Sequence, residues 1–356
     1  VIPHQELPDT EGWWFYCAFR VRGASGRTLT FRFPNRNPIG VRGPAVSMDG
    51  GEHWRWLGTE TVDGASFRFT FPENSDDVRF SMTIPYLESN LQAFLNRYRG
   101  DRHLEAGTLC KSRKGRDVEK LLVGRLDGRC RYRILLTARH HACEAIASYS
   151  MEGILATVLG DSDAGAWYRN NVEILAIPFM DKDGVEDGDQ GKNRRPHDHN
   201  RDYRGESIYP EVRTLRQIVP EWSGGRLRIA MDMHCPSIRG LEHERIHFVG
   251  IDNAEIWKRV ERLSAILEHV ERGQLVFRSE GNLPWGTSWN GPANVGPHKN
   301  SSQWAADLPG IDIATTVEIP YANVLGQSVT PENARAFGAD MARALRNYLE
   351  QTSHGN

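Results

Sequence analysis

Two histidines and two glutamates are spaced along this chain in a way that could build a hydrolytic metal site. His141 and Glu144 form a His-x-x-Glu pair, and His234 and Glu318 follow much later. Two imidazoles and one carboxylate are the protein ligands of a zinc site that leaves a fourth position open for water. The other carboxylate would then remain as a base. The pair alone is weak support, because with 13 histidines roughly one such spacing is expected by chance.

The segments that must position these residues read as buried β-strands. Three short apolar runs end directly before them: Arg131–Arg139, Arg226–Met233 and Ile311–Val317. After Glu144 the apolar residues repeat at helical spacing, so His141 and Glu144 lie at a strand-to-helix turn. The carboxyl ends of parallel strands meet at one edge of a sheet, where ligands bind. The pattern therefore predicts that His141, Glu144, His234 and Glu318 meet at such an edge.

The hydrophobic pattern changes its period near residue 100. Four aromatic-rich segments before that point alternate at period two between turns: Trp13–Val21, Thr28–Phe33, Ser66–Phe71 and Val78–Met82. They predict an antiparallel β-sandwich domain over residues 1–100. Beyond it, strands alternate with helical stretches such as Glu255–Arg272 and Pro331–Gln351. That alternation predicts an α/β domain over residues 101–356, with a mixed, mostly parallel sheet flanked by helices.

Composition narrows the classes of partner. The net charge is −2, which favours neither nucleic acid nor an anionic membrane as a partner. No uncharged apolar run approaches the ~18 residues that span a bilayer, so we expect a soluble protein. Five cysteines without Cys-x-x-Cys spacing predict reduced thiols, with a Cys110–Cys130 disulfide as the alternative in an oxidising compartment. The oligomeric state and the location stay open, either cytoplasmic or periplasmic or secreted after signal removal.

With these residues in place, the chain resembles the M14 zinc carboxypeptidases, and among them the cytosolic carboxypeptidase-like branch with an N-terminal β-sandwich. Ala138–Glu144 is similar to the family's Ala-Arg-x-His-Pro-Gly-Glu, and Thr316–Glu318 resembles its Thr-x-Glu. Met231–His234 resembles the strand that ends in the second ligand histidine. Further family runs are matched in order by Asp181–Val185, Gly191–Arg194 and His199–Arg201. The resemblance extends over nearly the whole chain.

The resemblance implies a metallopeptidase with one zinc ion per chain. His141, Glu144 and His234 would hold the zinc, and a zinc-bound water would hydrolyse C-terminal peptide bonds with Glu318 as general base. The substrate would be the C-terminus of a peptide or protein.

It also implies roles for cationic and amide side chains. Arg194 matches the arginine of the family's Gly-Asn-x-Arg run and is the expected cation for the developing oxyanion. Arg195 is its fallback, because the segment up to Asn200 is shorter here. Arg201 and Asn200 would bind the substrate's terminal carboxylate, and Arg139 would line an outer substrate subsite.

The chain departs from the family pattern in two places. The family has a mobile tyrosine that closes over the substrate, but no tyrosine occurs between Cys235 and Val317. Deglutamylating relatives carry a specificity arginine where Lys299–Gln303 here offers serines, so glutamate release is not expected unless Lys299 reaches the site. These departures leave a related zinc amidohydrolase, acting on cell-wall peptides or N-acyl amino acids, as an alternative. A noncatalytic zinc-binding module is the weaker alternative.

Other histidines near these motifs are expected to be structural. His243 and His247 have the i, i+4 spacing of helical metal ligands, but Ile246–Val249 alternates like a strand, so they should fall on a loop and a sheet. His140 is expected to support a ligand or to pack in the core. Asp232 would orient a ligand imidazole or be an ordinary strand residue.

Overall fold

Two antiparallel sheets form the N-terminal part of the molecule, in a computed structural model that describes residues 1–3, 14–75 and 77–353. Their strands are β1 Ala18–Arg22, β2 Thr28–Arg32, β3 Ala45–Ser47, β4 Arg55–Trp56, β5 Val62–Asp63, β6 Ser66–Thr70 and β7 Asp77–Ser81. The strand orders are β1-β7-β3-β4 and β2-β6-β5. Phenylalanine rings from both sheets pack together, and the ring centroids of Phe31, Phe67 and Phe80 lie within 5.2 Å of one another. The predicted antiparallel structure is confirmed, and Trp13 lies outside the described residues.

A seven-stranded sheet forms the centre of the rest of the described chain. Its strands are β8 Leu104–Lys111, β9 Asp117–Gly124, β10 Tyr132–Ala138, β11 Val172–Ile177, β12 Leu227–His234, β13 His247–Val249 and β14 Ile313–Glu318. Their order is β13-β14-β12-β10-β11-β9-β8. Strands β10, β11, β12 and β14 are parallel, whereas β13, β9 and β8 pair antiparallel with a neighbour. The predicted mixed, mostly parallel sheet is confirmed. A short hairpin, β15 Asn323–Val324 and β16 Gln327–Ser328, stands apart.

Helices flank this sheet. They are α1 Glu88–Arg97, α2 Ala145–Leu159, α3 Asp163–Asn171, α4 Lys182–Asp187, α5 Pro210–Ser223, α6 Ala254–Val270, α7 Pro292–Val295, α8 Ser301–Ala305 and α9 Pro331–Ser353. Helix α2 is buried on nearly every face between the sheet and α9. A Cβ on Gly153 would lie 2.0 Å from the backbone oxygen of Arg335, so only glycine permits this close packing of α2 on α9. Of the helices in the described residues, none combines the length and apolarity needed to cross a membrane.

The elements that precede the candidate site residues are where the sequence predicts them. β10, β12 and β14 are the three expected strands, and α2 follows directly after Glu144. The three strands are adjacent and parallel, so their carboxyl ends share one edge of the sheet. All five cysteines are free thiols, as expected. The division into domains at residues 1–100 and 101–356 stays a prediction.

Candidate metal centre and active site

The ends of three strands bring the four predicted side chains to one edge of the central sheet. His234 is the last residue of β12 and Glu318 the last of β14, and they are partners in the parallel register. After β10 the chain turns through Arg139, whose φ of 62° is left-handed. His141 and Glu144 lie in the turn that follows, immediately before α2. The predicted convergence is therefore observed.

Three of these side chains form a compact set of metal donors. Glu144 Oε1 lies 2.9 Å from His141 Nδ1, and Glu144 Oε2 lies 2.6 Å from His234 Nδ1. One donor atom from each residue falls within 4.8 Å of the others. This donor set, two imidazoles and a carboxylate, is the one that zinc takes in hydrolytic sites.

An orphaned atom supports a cation in this position. His234 Nε2 lies 2.7 Å from a carboxylate oxygen of Asp232, so it must carry the proton that it donates. In the neutral ring, Nδ1 then turns a lone pair towards Glu144 Oε2, which is buried and has no hydrogen-bond partner in the part of the chain that the structure describes. Two lone pairs so close repel one another unless a cation or a proton lies between them. The residues present therefore fit a divalent metal.

The charges of the donors and of their neighbours shift the pKa of each donor. Burial disfavours the charged form of His141, but the negative charges of Glu144 and Asp198 outweigh it and raise the pKa. Burial also opposes the charge of His234, and Asp232 and Glu144 raise its pKa well above the usual value. For Glu144 the effect of burial is overcome by the neighbouring cations, and its pKa falls well below the usual value. The carboxylate thus stays ionised, as a metal ligand must.

Glu318 lies beside the donors without a committed partner. Its side chain is buried, and Oε2 has no hydrogen-bond partner among the described residues. Burial raises its pKa, and the neighbouring charge of His234 opposes this only in part. A carboxylate with a raised pKa accepts a proton more readily at neutral pH, which is the property of a general base.

Lys192 also reaches the donors, although the sequence analysis did not select it. Its Nζ lies 2.6 Å from Glu144 Oε1. Burial opposes the ammonium charge, but Glu144 raises the pKa of Lys192 above its usual value. The preceding Gly191 has φ +79°, and a Cβ there would lie 2.4 Å from the backbone nitrogen of Ala142. Only glycine lets the chain approach the turn of Glu144 so closely.

A cavity of about 360 Å³ opens onto this cluster, a volume that suits a small ligand or the end of a peptide. The predicted site residues in its wall are His141, Glu144, Asn200, Arg201, His234 and Glu318. Arg201 is held in place by the backbone oxygens of Asn294 and Asn200, at 3.0 to 3.3 Å. The carboxamide oxygen of Asn200 accepts from the backbone nitrogen of Ser301 at 3.0 Å.

Arg194 does not line this cavity, which corrects the role expected for it. Its guanidinium is buried on the other side of the loop, where it forms an ion pair with Asp181 at 2.7 Å and donates to Asp189 at 2.8 Å. Arg195 is exposed and does not line the cavity either. The cation that the loop presents to the metal donors is Lys192. The sequence signal for Lys192 was that the Gly191–Arg194 run contains a second cation. Spacing alone, however, does not tell which of the two cations points towards the cavity.

Arg139 also requires correction, because it is 1% exposed and cannot line an outer subsite. Its guanidinium donates to the backbone oxygens of Tyr86 and Ala142, each at 2.8 Å, and to Ser148 Oγ at 3.2 Å. The left-handed backbone at Arg139 turns the side chain into the protein. Arg139 therefore fixes the turn that carries His141 and Glu144.

Lys299, His243 and His247 are further residues for which the sequence predicted or excluded a role. Lys299 pairs with Asp307 and does not line the cavity, so it offers no cation for an acidic side chain there. Trp289, 36% exposed, lies in the wall. As predicted, His247 is in β13 and His243 in the 3-10 segment Leu241–Glu244, so they do not share a helix face.

Asp198 was missed by the sequence reasoning although it directly precedes the run His199–Arg201. Its Oδ2 lies 3.6 Å from His141 Nε2. Burial opposes its charge, but His141 lowers the pKa of Asp198 below the usual value. Its two oxygens also accept from the backbone nitrogens of Asn193 and Asn200, at 3.1 and 3.0 Å. Asp198 thus ties a predicted metal ligand to the loop that carries Asn200.

Comparisons with known proteins find carboxypeptidases among the similar sequences. Residues 91–222 match the family model Peptidase_M14, zinc carboxypeptidase. The chain is 27% identical over 195 residues to cytosolic carboxypeptidase 2 of Xenopus tropicalis, covering 50% of this chain and 20% of that protein. It is 26% identical over 259 residues to cytosolic carboxypeptidase 6 of Caenorhabditis elegans, covering 63% of this chain and 54% of that protein. The chain thus spans only part of the length of these relatives.

Solved structures share the fold over nearly the whole chain. The metallo-carboxypeptidase from Burkholderia cenocepacia has a TM-score of 0.78 at 19% identity and covers 95% of this chain and 90% of its own. The metallo-carboxypeptidase from Pseudomonas aeruginosa, solved with (2-guanidinoethylmercapto)succinic acid, has a TM-score of 0.72 at 21% identity and the same coverage. At these identities the likeness shows the fold.

Proposed function

We propose that this chain is a zinc carboxypeptidase of the M14 family, whose model its residues 91–222 match, and that it releases C-terminal residues from peptides or proteins. The observation that carries the proposal is the set of donors His141, Glu144 and His234 at a cavity that also contains an uncommitted Glu318. A binding module would need the donors but not a buried carboxylate of raised pKa beside them.

Each of these residues has a role in the proposed reaction. His141, Glu144 and His234 would hold one zinc ion, which when bound supplies a Lewis acid that polarises a carbonyl and lowers the pKa of water. Glu318 would take the proton of the attacking water and later pass it to the leaving amine. Its burial keeps bulk water from competing for that proton.

Lys192 is the cation that we assign to the developing oxyanion, in place of Arg194. It is charged, it lines the cavity, and its Nζ lies against the metal donors. A fixed cation at the point where negative charge develops stabilises the transition state more than the ground state.

The charges around the cavity support a substrate with a single carboxylate. Glu144, Glu318 and Asp198 are negative there, and Lys192 and Arg201 are positive. With neutral histidines, a divalent metal leaves one net positive charge, which a terminal carboxylate would balance. Arg201 offers a planar fork for that carboxylate. A second negative charge on the substrate would lack a partner, so we do not expect preferential release of glutamate or aspartate.

A zinc amidohydrolase acting on N-acyl amino acids or cell-wall peptides is the second candidate. The observation that favours it is the lack of tyrosine between Cys235 and Val317. None of the described residues in the cavity wall is a tyrosine either. Without a phenol to close over the substrate's carboxylate, the cavity has one contact fewer with which to require a free C-terminus.

The experiment that separates these functions uses a peptide library that varies the last two residues, read by mass spectrometry. Each peptide is supplied as the free acid and as the C-terminal amide, together with a panel of N-acyl amino acids. We expect single residues to be lost from the free acids and not from the amides. Hydrolysis confined to the N-acyl amino acids would transfer the proposal to the amidohydrolase.

Glu318→Gln tests the mechanism on the best substrate found. It keeps the size of the side chain but removes its basicity, so we expect turnover to fall by about 10²- to 10⁴-fold. Metal analysis of the same preparation checks that zinc is retained. Turnover within about tenfold of wild type, with zinc bound, would show that another group acts as the base.

A further inference from the structure

A chain of hydrogen bonds runs from His234 through buried side chains that do not line the cavity. His234 Nε2 donates to Asp232 Oδ2 at 2.7 Å, and Asp232 Oδ1 accepts from His140 Nδ1 at 2.8 Å. His140 Nε2 lies 2.7 Å from the hydroxyl of Tyr203. Thr137 Oγ1 also donates to Asp232 Oδ1, at 2.8 Å. Each of these residues is at most 2% exposed.

The hydrogen bonds fix where every proton lies in this chain. A carboxylate only accepts, so Asp232 requires a proton on His234 Nε2 and another on His140 Nδ1. In the neutral ring, His140 Nε2 then accepts from the hydroxyl of Tyr203. His234 is thereby held in the tautomer that leaves Nδ1 without a proton. That is the nitrogen facing Glu144 in the donor cluster.

The two faces of His234 therefore differ in kind. On the Nδ1 face, Glu144 Oε2 has no hydrogen-bond partner among the described residues, and the cavity is open. On the Nε2 face, His140 and Asp232 could themselves hold a metal together with His234, because their donor atoms lie within 4.8 Å. The atoms of His140 and Asp232 are already bonded within this network, however, and neither of these two residues lines the cavity. This satisfied face suits a support rather than a second metal.

We propose that Tyr203, His140 and Asp232 are positioning residues that set the tautomer and the orientation of His234 as a metal ligand. The inference rests on the proposed function only in taking His234 as a ligand. Groups that hydrogen-bond to a ligand imidazole typically change metal affinity about 10- to 100-fold when they are removed. The parallel rings of His140 and His234, 6° apart in plane, show how closely the two imidazoles are aligned.

Three substitutions test the network. His140→Leu removes both of its hydrogen bonds, and Tyr203→Phe removes only the terminal one. His140→Asn keeps a side-chain N–H that can replace Nδ1 as donor to Asp232. The matched control is Tyr168→Phe, because the hydroxyl of Tyr168 is equally buried but donates to the backbone oxygen of Ala342 at 2.6 Å, outside the network.

The experiment measures metal binding rather than turnover. The zinc dissociation constant is obtained by competition with a chromophoric chelator, and the absorption spectrum of the cobalt-loaded protein reports ligand geometry. We expect His140→Leu to weaken zinc binding about 10- to 100-fold, Tyr203→Phe to weaken it less, and His140→Asn to recover most of the affinity. Both His140→Leu and Tyr203→Phe should alter the cobalt spectrum, whereas Tyr168→Phe should leave spectrum and affinity unchanged.

Two results would overturn the inference. One is an unchanged zinc affinity and cobalt spectrum in His140→Leu or, if that variant does not fold, in Tyr203→Phe. The other is two metal equivalents in the wild type and one in His140→Leu, which would make the Nε2 face a second metal site. A wild type that binds one zinc through this network but cleaves no peptide would refute the proposed function and leave the inference standing.

Discussion

The segment from Asp181 to Arg201 has two sides that use charge differently. On the side away from the cavity, Arg194 forms ion pairs with Asp181 and Asp189, and all three are at least 92% buried. On the cavity side, Lys192 lies against Glu144, and Arg201 donates to backbone oxygens. The first set of charges is balanced within the protein. The second is left to be balanced by a metal and a substrate.

The difference shows that burial and charge alone do not mark a functional residue. Arg194 and Lys192 are close in sequence, and both contact carboxylates. What separates them is the partner: Arg194 contacts carboxylates that do not line the cavity at the metal donors, whereas Lys192 contacts a predicted metal ligand in its wall. Substitutions on the two sides should therefore fail in different ways, one in stability and the other in catalysis.

Arg194→Met should produce the largest effect, a loss of about 3–5 kcal/mol in the free energy of unfolding. The substitution leaves the carboxylates of Asp181 and Asp189 buried without their guanidinium partner. Denaturant unfolding of the metal-loaded protein measures it. Arg195→Met is the control, because that neighbour is exposed and should change stability by no more than about 0.5 kcal/mol. If Arg194→Met kept wild-type stability but lost most of its turnover, the result would contradict this prediction and support Arg194 as the cation for the oxyanion.

Lys192→Met, on the cavity side, should reduce catalysis rather than stability. Loss of the cation beside the developing oxyanion should lower kcat by about 10²- to 10³-fold. Zinc should stay bound, because His141, Glu144 and His234 remain. Lys192→Arg keeps the charge and should recover part of the activity. Steady-state kinetics on the best peptide, with metal analysis, measure both variants, and a Lys192→Met enzyme with wild-type kcat would contradict the assignment.

The sequence predicted the parts of this site that regular structure places. His234 and Glu318 end parallel strands, so periodicity alone assigns them to one edge of the sheet. Arg139 and Asn193 lie in turns with φ of 62° and 55°, where the backbone is left-handed and no periodic rule gives the direction of a side chain. The roles of Arg139 and Arg194 were wrong for this reason. Lys192 was missed for the same reason, because it follows a left-handed glycine whose close packing sequence spacing does not reveal.

The hydrogen-bond network around His234 shows a second limit of what the sequence can predict. The sequence singled out Asp232 and His140 as candidates to support a ligand. It could not show that Tyr203 completes their hydrogen bonds, because Tyr203 is in the loop after the 3-10 segment His199–Arg201. Contacts between a strand and an irregular loop depend on tertiary packing, which a local pattern does not encode.

The smallest effect is expected at the solvent-exposed rim of the side away from the cavity. Asp187, 20% exposed, bonds to Arg116 Nη2 at 2.7 Å and to Lys114. The hydrogen bond from Arg116 lowers the pKa of Asp187 below its ordinary value of 3.8, although burial opposes this. A lowered folded pKa gives stability that is present above the unfolded pKa and is lost as the pH falls through the folded value.

Asp187→Asn should therefore cost about 1 kcal/mol near pH 7, because solvent screens this ion pair more than that of Arg194. The difference from wild type should shrink as the pH falls below about 4, where the wild-type carboxylate becomes protonated as well. Urea unfolding between pH 7 and pH 3 measures the difference, and Asp161→Asn makes the same charge change at an exposed position. A cost that did not depend on pH would mean that Asp187 acts through packing, and the contrast between the two sides would then not extend to the rim.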